Sequence, residues 1–230
     1  MKKKLLLISI AVLFFIILLF CTYKLMNSRT FQLFGGLTNK VETNQKAVAL
    51  TFDDGPTDNV DDILAVLNQY DIKATFFLVG NEIEKRKEEA EKIAAAGHQV
   101  GNHSYSHQRM IFKSPSFIKE EIEKTDRLIE SIGYEGEIDF RPPNGKKLAF
   151  LPFYLQKEGK ETITWNIEPD HAVDKVEYVK RNIENGSIIL LHPMYDESGE
   201  QLQLLESIIK LLIEEGYNFV TVNELQELQQ

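Results

Sequence analysis

Residues 47–56 read Ala47-Val48-Ala49-Leu50-Thr51-Phe52-Asp53-Asp54-Gly55-Pro56. An apolar, β-prone run ends abruptly in two carboxylates and a turn-forming pair. Side chains alternate along a strand, so adjacent aspartates leaving it point in different directions and can do different jobs. A plainer reading also stands: Asp, Gly and Pro are common turn residues, and the pair could simply close a turn before a helix near residue 58.

Outward from this stretch the apolar pattern switches between short β-rich runs and helical periodicity. The strands expected are Ala47–Phe52, Ala74–Val79, Gln99–Asn102, Ile138–Arg141, Thr162–Asn166, Ser187–His192 and Phe219–Val222. Helical stretches fall near 58–70, 82–96, 115–132, 146–158, 174–185, 200–215 and 222–229. Asn81 is placed to cap the second helix, and Gly97, Gly133 and Gly216 to end helices. Alternating strands and helices imply a mainly parallel sheet. Seven such units suit an imperfect β/α barrel, with an open doubly wound sheet as the alternative.

Several strands run into chemistry at their carboxyl ends, where β/α barrels gather their active sites. The third is followed by His103-Ser104-Tyr105-Ser106-His107, whose spacing of four lets both imidazoles reach one ion, though such pairs also occur on ordinary surfaces. The fourth enters Arg141-Pro142-Pro143-Asn144-Gly145, a stiff loop able to aim a backbone N–H. The fifth carries Trp165 and continues to Glu168-Pro169-Asp170-His171. The sixth ends Leu190-Leu191-His192, with Leu190 and His192 on one face. His98, at the start of a strand, reads as structural. One shared site explains these clustered groups better than separate bland causes.

The amino terminus has a different character. Lys2-Lys3-Lys4 precedes a 17-residue run, Leu5 to Cys21, interrupted only by Ser9. A helix there nearly crosses a bilayer core, and the lysines would stay cytoplasmic. A cleaved signal peptide is the rival, but the run exceeds its usual length and no small-x-small site comes after it. Phe20 before Cys21 does not suit a lipoprotein signal. The expected organisation is a membrane anchor over 1–23, a flexible polar stem over 24–46 and a single domain over 47–230.

The chain has 230 residues and a net charge of −9, but residues 1–30 hold five basic groups and no acid. The remaining 200 residues carry 21 basic and 35 acidic groups, a balance of −14. Such an acidic body lacks the basic face a nucleic-acid binder needs. Cys21 is the only cysteine, which excludes an internal disulfide and any cysteine-based zinc site.

Thr51-Phe52-Asp53-Asp54, His103-Ser104-Tyr105-Ser106-His107, Arg141-Pro142-Pro143-Asn144-Gly145 and Leu190-Leu191-His192 together resemble the motifs of the polysaccharide deacetylase (NodB-homology, carbohydrate esterase family 4) proteins. The resemblance covers about residues 46–225. It implies a distorted (β/α)7 barrel, here preceded by a transmembrane helix. It also implies Asp53 as general base, and Asp54, His103 and His107 as ligands of a divalent metal. Zinc is expected, with cobalt or nickel also compatible with the donors. By the same resemblance Arg141 orients Asp53, the Asn144 N–H supports the oxyanion, and His192 protonates the leaving amine. Leu190 helps form the acetyl slot, and Asp170 tunes His192. Two positions depart from the pattern: Glu168 replaces a frequent aspartate, and His171 stands where a pocket-lining tryptophan is usual, which leaves that wall and the acyl preference open; Trp165 is placed among the pocket residues.

The resemblance implies an enzyme removing N-acetyl groups from a wall polysaccharide, with peptidoglycan N-acetylglucosamine expected from the location. The anchor would hold the catalytic domain outside the cell membrane, facing the wall. An O-acetyl esterase, another glycan deacylase and a non-catalytic wall-binding module are the alternatives. No nucleic-acid or protein partner is inferred.

Overall fold

The computed structural model describes residues 2–230. At its centre lies β2 (Ala47–Asp53), buried along its whole length. It pairs in parallel with β3 (Thr75–Leu78), with β6 (Ile188–Leu191) and, at its amino end, with β7 (Asn218–Phe219). A fourth strand, β4 (Gln99–Asn102), extends the sheet beyond β3, also in parallel. Between β4 and β6 the wall is made by single bridges, Asn102 to Phe140, Phe140 to Thr162 and Ile167 to Ile189. The result is a distorted (β/α)7 barrel whose circumference is not closed by continuous ladders.

The shortened strands have local causes. The expected strand Ile138–Arg141 shrinks to the bridge at Phe140, because Pro142 and Pro143 cannot donate to a ladder. Thr162–Asn166 reduces to β5 (Thr162–Ile163), after which the Asn166 side chain accepts from the Ile188 amide at 2.8 Å. The last strand stops at Phe219 because Thr221 and Glu224 form a capping box that starts α9 (Val222–Glu227).

Period two sorts the strand residues between two cores. Val48, Leu50 and Phe52 face outward into one apolar cluster with Phe76 and Leu78. They meet Val60, Ile63 and Leu67 of α2 (Val60–Gln69) and Leu205, Ile208, Ile209 and Leu212 of α8 (Glu200–Glu214). Ala47 and Ala49 face inward with Phe77, Ile163, Trp165, Ile188 and Leu190, closed below by Val222 and Leu225. Thr51 and Asp53 continue the inward series, so the sheet's own alternation carries Asp53 into the barrel mouth. The expected helix at 82–96 is broken into α3 (Gly80–Lys85) and α4 (Lys87–Ala95) at Arg86, and α3 begins at Gly80 with Val79, not Asn81, in the cap position.

The first helix, α1 (Lys2–Asn27), is exposed over most of its length, with Leu25, Met26 and Asn27 half-buried, and is long and apolar enough to cross a membrane. The flexible stem expected over 24–46 is a correction. Helix α1 runs to Asn27, and the residues beyond it pack on the barrel. β1 (Leu37–Thr38) pairs in parallel with β5, and the Val41 amide donates to the Gly186 carbonyl at 2.9 Å. Gly186 sits at φ +76°, where a Cβ would overlap the Val41 carbonyl. The polar, Gly35-Gly36-containing composition resembled a linker because an edge strand holds itself by backbone bonds that composition does not register.

Candidate active site

The two aspartates part company at the end of β2. Asp53 is 3 % exposed and lies inside the mouth, where Arg141 Nη1 donates to its Oδ1 at 2.7 Å. Arg141 is fully buried and also donates to Thr51 Oγ1 at 2.8 Å and to the Thr164 carbonyl at 3.2 Å. Burial alone would push the Asp53 carboxyl up. Arg141, His103 and His192 outweigh it and hold the group below the usual carboxylate range. Asp54 then turns out of the strand at φ +69°. Its Oδ1 lies 3.2 Å from His107 Nε2 and 3.8 Å from His103 Nε2. Burial pushes the Asp54 carboxyl up, and a divalent cation beside it would reverse that.

The histidine loop is built to present nitrogen. His103 Nδ1 lies 2.7 Å from the Arg141 carbonyl, which can only accept, so this nitrogen carries the proton and leaves Nε2 free as a donor atom. Burial lowers the pKa of both His103 and His107, favouring the neutral form that a metal requires. One donor atom each from Asp54, His103 and His107 lies within 4.8 Å of the others. That spacing and the oxygen–nitrogen donor set fit a divalent ion such as zinc, with coordination positions left for water or substrate.

Much of the scaffold holding this loop was not singled out from the sequence. Glu121 of α5 (Pro115–Ser131) accepts from the Tyr105 and Ser106 amides at 3.1 and 2.8 Å and from Ser106 Oγ at 2.8 Å. Asn102 Oδ1 accepts from the Ser104 amide at 2.8 Å, and Ser104 Oγ accepts from the His107 amide at 3.1 Å. Gly80 donates to the Ser104 carbonyl at 3.0 Å, and a Cβ on it would come within 2.8 Å of the Tyr105 ring. These bonds stabilise left-handed backbone at Ser104 (φ 65°) and His107 (φ 55°), a conformation that costs such residues of the order of 1 kcal/mol each. The only trace Glu121 leaves in the sequence is an acid at helical spacing among Ile118, Ile122 and Ile129.

The remaining expected residues surround the same mouth. His192 Nδ1 lies 2.6 Å from Asp170 Oδ2. Burial works against a charged His192, but the bond to Asp170 and the nearby Asp53 raise its pKa above the ordinary value. The bond to His192 in turn lowers Asp170. Asn144 is left-handed at φ 54° between Pro143 and Gly145, and its side chain accepts from Arg109 Nε at 3.0 Å. Leu190 and Trp165 are buried in the inner core, and Gly145 admits the indole so closely that a Cβ there would approach it to 3.2 Å. His171 is exposed. His98 is buried below, accepting from the Ala74 amide at 3.2 Å, in keeping with its structural reading.

Known proteins resemble this chain in sequence and in structure. Residues 40–163 match the family profile described as polysaccharide deacetylase. The chain is 34 % identical over 197 residues to the peptidoglycan-N-acetylmuramic acid deacetylase PdaC of Bacillus subtilis, covering 82 % of this chain and 40 % of that protein. It is 32 % identical over 200 residues to a peptidoglycan-N-acetylglucosamine deacetylase of Bacillus cereus, covering 83 % of this chain and 93 % of that one. It therefore spans under half the length of the first and nearly all of the second. Among solved structures, the Bc1960 peptidoglycan N-acetylglucosamine deacetylase superposes with a TM-score of 0.77 at 29 % identity, over 84 % of this chain and 94 % of that one. BA3943 of Bacillus anthracis, described as a CE4 family pseudoenzyme, gives 0.74 at 30 % identity, over 84 % and 69 %.

Proposed function

The chain belongs to the polysaccharide deacetylase family, and we propose that it is a metal-dependent N-deacetylase of the cell wall, anchored by α1 and acting on peptidoglycan N-acetylglucosamine. The observation that carries this reading is the convergence of Asp54, His103 and His107 within 4.8 Å, flanked by the Asp53–Arg141 pair and the Asp170–His192 pair. The proposed organisation is an anchor in residues 1–23 and a catalytic domain that takes in the packed residues before 47.

Asp54, His103 and His107 would hold the ion. When bound, it supplies polarisation of the acetamide carbonyl and acidification of the attacking water, which a low-pKa carboxylate base such as Asp53 needs. Asp53, kept ionised by Arg141, accepts a proton from that water as it adds to the carbonyl carbon. The Asn144 N–H supports the oxygen that gains charge. His192, kept protonated by Asp170, delivers a proton to the sugar nitrogen as the C–N bond breaks. Acetate and a free amine leave. Trp165 and Leu190 bound the slot for the acetyl methyl.

A second reading, removal of O-acetyl or larger acyl groups, draws on the exposed His171, which supplies no aromatic wall. Incubating the full-length protein with acetylated wall fragments separates the two. Released acetate matched by new amines on glucosamine supports the N-deacetylase; acetate without amine overturns it, and amines confined to muramic acid would reassign the sugar.

A further inference from the structure

The residues that leave the membrane-length helix, Met26-Asn27-Ser28-Arg29, are bonded to the active-site rim. The Lys147 amide donates to the Met26 carbonyl at 3.4 Å, the Lys146 ammonium donates to Asn27 Oδ1, and the Lys147 ammonium donates to the Ser28 carbonyl. Thr164 Oγ1 donates to the Arg29 carbonyl at 2.6 Å. The Arg29 guanidinium donates to Glu168 Oε2 at 2.6 Å and stacks 4.5 Å from the centroid of the Trp165 ring. That same Glu168 oxygen accepts from Trp165 Nε1 at 3.0 Å. All these partners lie in the two loops, 141–147 and 164–168, that carry Arg141, Asn144 and Trp165.

The contacts are not a loose surface association. Lys147 is 1 % exposed, and a buried ammonium needs an acceptor; the Ser28 carbonyl provides one. Trp165 is 4 % exposed, caught between Gly145 on one side and the Arg29 guanidinium on another. Glu168, longer than the aspartate common at its position, spans the indole N–H and Arg29 with one oxygen. A free 23-residue stem would let the domain wander about 25 Å from the helix end. Bonded at Met26, the rim adjoins the helix directly.

We propose that residues 26–29 are part of the active-site rim, that Arg29 is a positioning residue for Trp165, and that the enzyme works on glycan lying against the outer membrane surface. The substrate clause rests on the proposed function; the clamp on Trp165 stands without it.

Trp165 is the chain's single tryptophan, so emission excited at the red edge, where the tyrosines hardly absorb, reports the surroundings of this one indole. In Arg29→Ala the emission shifts to the red, acrylamide quenches it more, and KM for an N-acetylglucosamine oligomer rises roughly three- to tenfold with a smaller change in kcat. Arg29→Lys restores the charge opposite Glu168 but not the planar stack, so it recovers KM and emission in part. Unchanged emission, quenching and KM in Arg29→Ala overturn the clamp. A 20-residue Gly/Ser insertion between Tyr23 and Lys24 keeps the rim intact but lifts it from the bilayer. It lowers turnover of a lipid-linked N-acetylated disaccharide in vesicles several-fold relative to the soluble oligomer; equal turnover of both overturns the membrane-surface substrate. If the wild type releases acetate from neither probe, the N-deacetylase reading fails, while the emission measurements still decide the clamp.

Discussion

At the amino ends of its strands the barrel buries His98, Gln99 and Asp139; at the carboxyl ends it buries Asp53, His103 and Arg141. Both ends shift the protonation of their residues. Burial, helped by Lys73, pulls His98 down to about 4, and burial with Glu137 and Glu161 pushes Asp139 up to about 7. The lower end thus resolves burial by giving up charge, and its groups take ordinary partners: the Ala74 amide for His98, the Gln99 amide 3.5 Å from Asp139. The upper end neutralises His103 in the same way but keeps two pairs charged and sets each group against its opposite, Asp53 on Arg141 and Asp170 on His192. A perturbed pKa therefore does not distinguish a catalytic end from a structural one. Donor atoms from separate loops converging on one point do.

The largest effect expected to sharpen this contrast is in turnover. Asp53→Asn retains metal but loses roughly 10²–10⁴-fold in kcat, the usual worth of a general base. Arg141 keeps its bonds to Thr51 and Thr164 in that variant, so circular dichroism should remain native. Asp139→Asn, the corresponding change at the lower end, leaves kcat at the wild-type value. Equal turnover of Asp53→Asn and wild type at saturating metal would sink the division of labour between the two ends.

Metal content comes next. His103→Ala, His107→Ala and Asp54→Asn each remove a donor, so affinity measured by competition with a chelator drops at least about 10–100-fold. His98→Gln holds metal like the wild type. A ligand variant with undiminished affinity removes that residue from the proposed set.

Subtler is the pH profile of kcat. Asp170 raises the pKa of His192, so the protonated acid survives to higher pH than an isolated imidazole would. Asp170→Asn moves the alkaline limb to lower pH, whereas Asp139→Asn leaves both limbs where they are.

Smallest is the pH dependence of stability, where the lower end should dominate. Folded His98 binds its proton only near pH 4 while the unfolded residue does so near 6.5, so its stabilising contribution is lost as pH falls through that window. Folded Asp139 keeps its proton up to about pH 7 against 3.8 unfolded, so its contribution is lost as pH rises between those values. Each slope is at most about 1.4 kcal/mol per pH unit. Between about pH 4 and 6.5 the two slopes oppose and largely cancel in the wild type, so in urea unfolding His98→Gln should lose stability as pH rises and Asp139→Asn should gain it; parallel curves for all three proteins contradict these assignments.

The parts legible in the sequence were those written in side chains at fixed spacing. The β2 run with its paired acids, the histidines four apart and the prolines after Arg141 each carry local chemistry that reads without a structure. Contacts that depend on where distant backbone passes did not. Nothing in Gly35-Gly36 or Val41 announces an edge strand on β5 and Gly186, and Arg29 gains meaning only when Glu168 and Trp165 are beside it. Glu121 shows only as an acid on a mostly apolar helix face, and its role stays hidden because its partners are backbone amides whose directions are set by left-handed residues.

Because β2 is pinned on both edges by β3, β6 and β7, the proposed base and ligand are set apart as odd and even positions along one ribbon. A single-residue insertion or deletion upstream of Asp53 would invert that parity, turning Leu50 and Phe52 into the barrel and Asp53 toward the helices. Point changes in this family member can drift gradually, but the length of β2 cannot. The segment from Ala47 to Asp54 should therefore behave as an indivisible word under random length mutagenesis, intolerant of any gap, while the exposed turn at 135–137 accepts them.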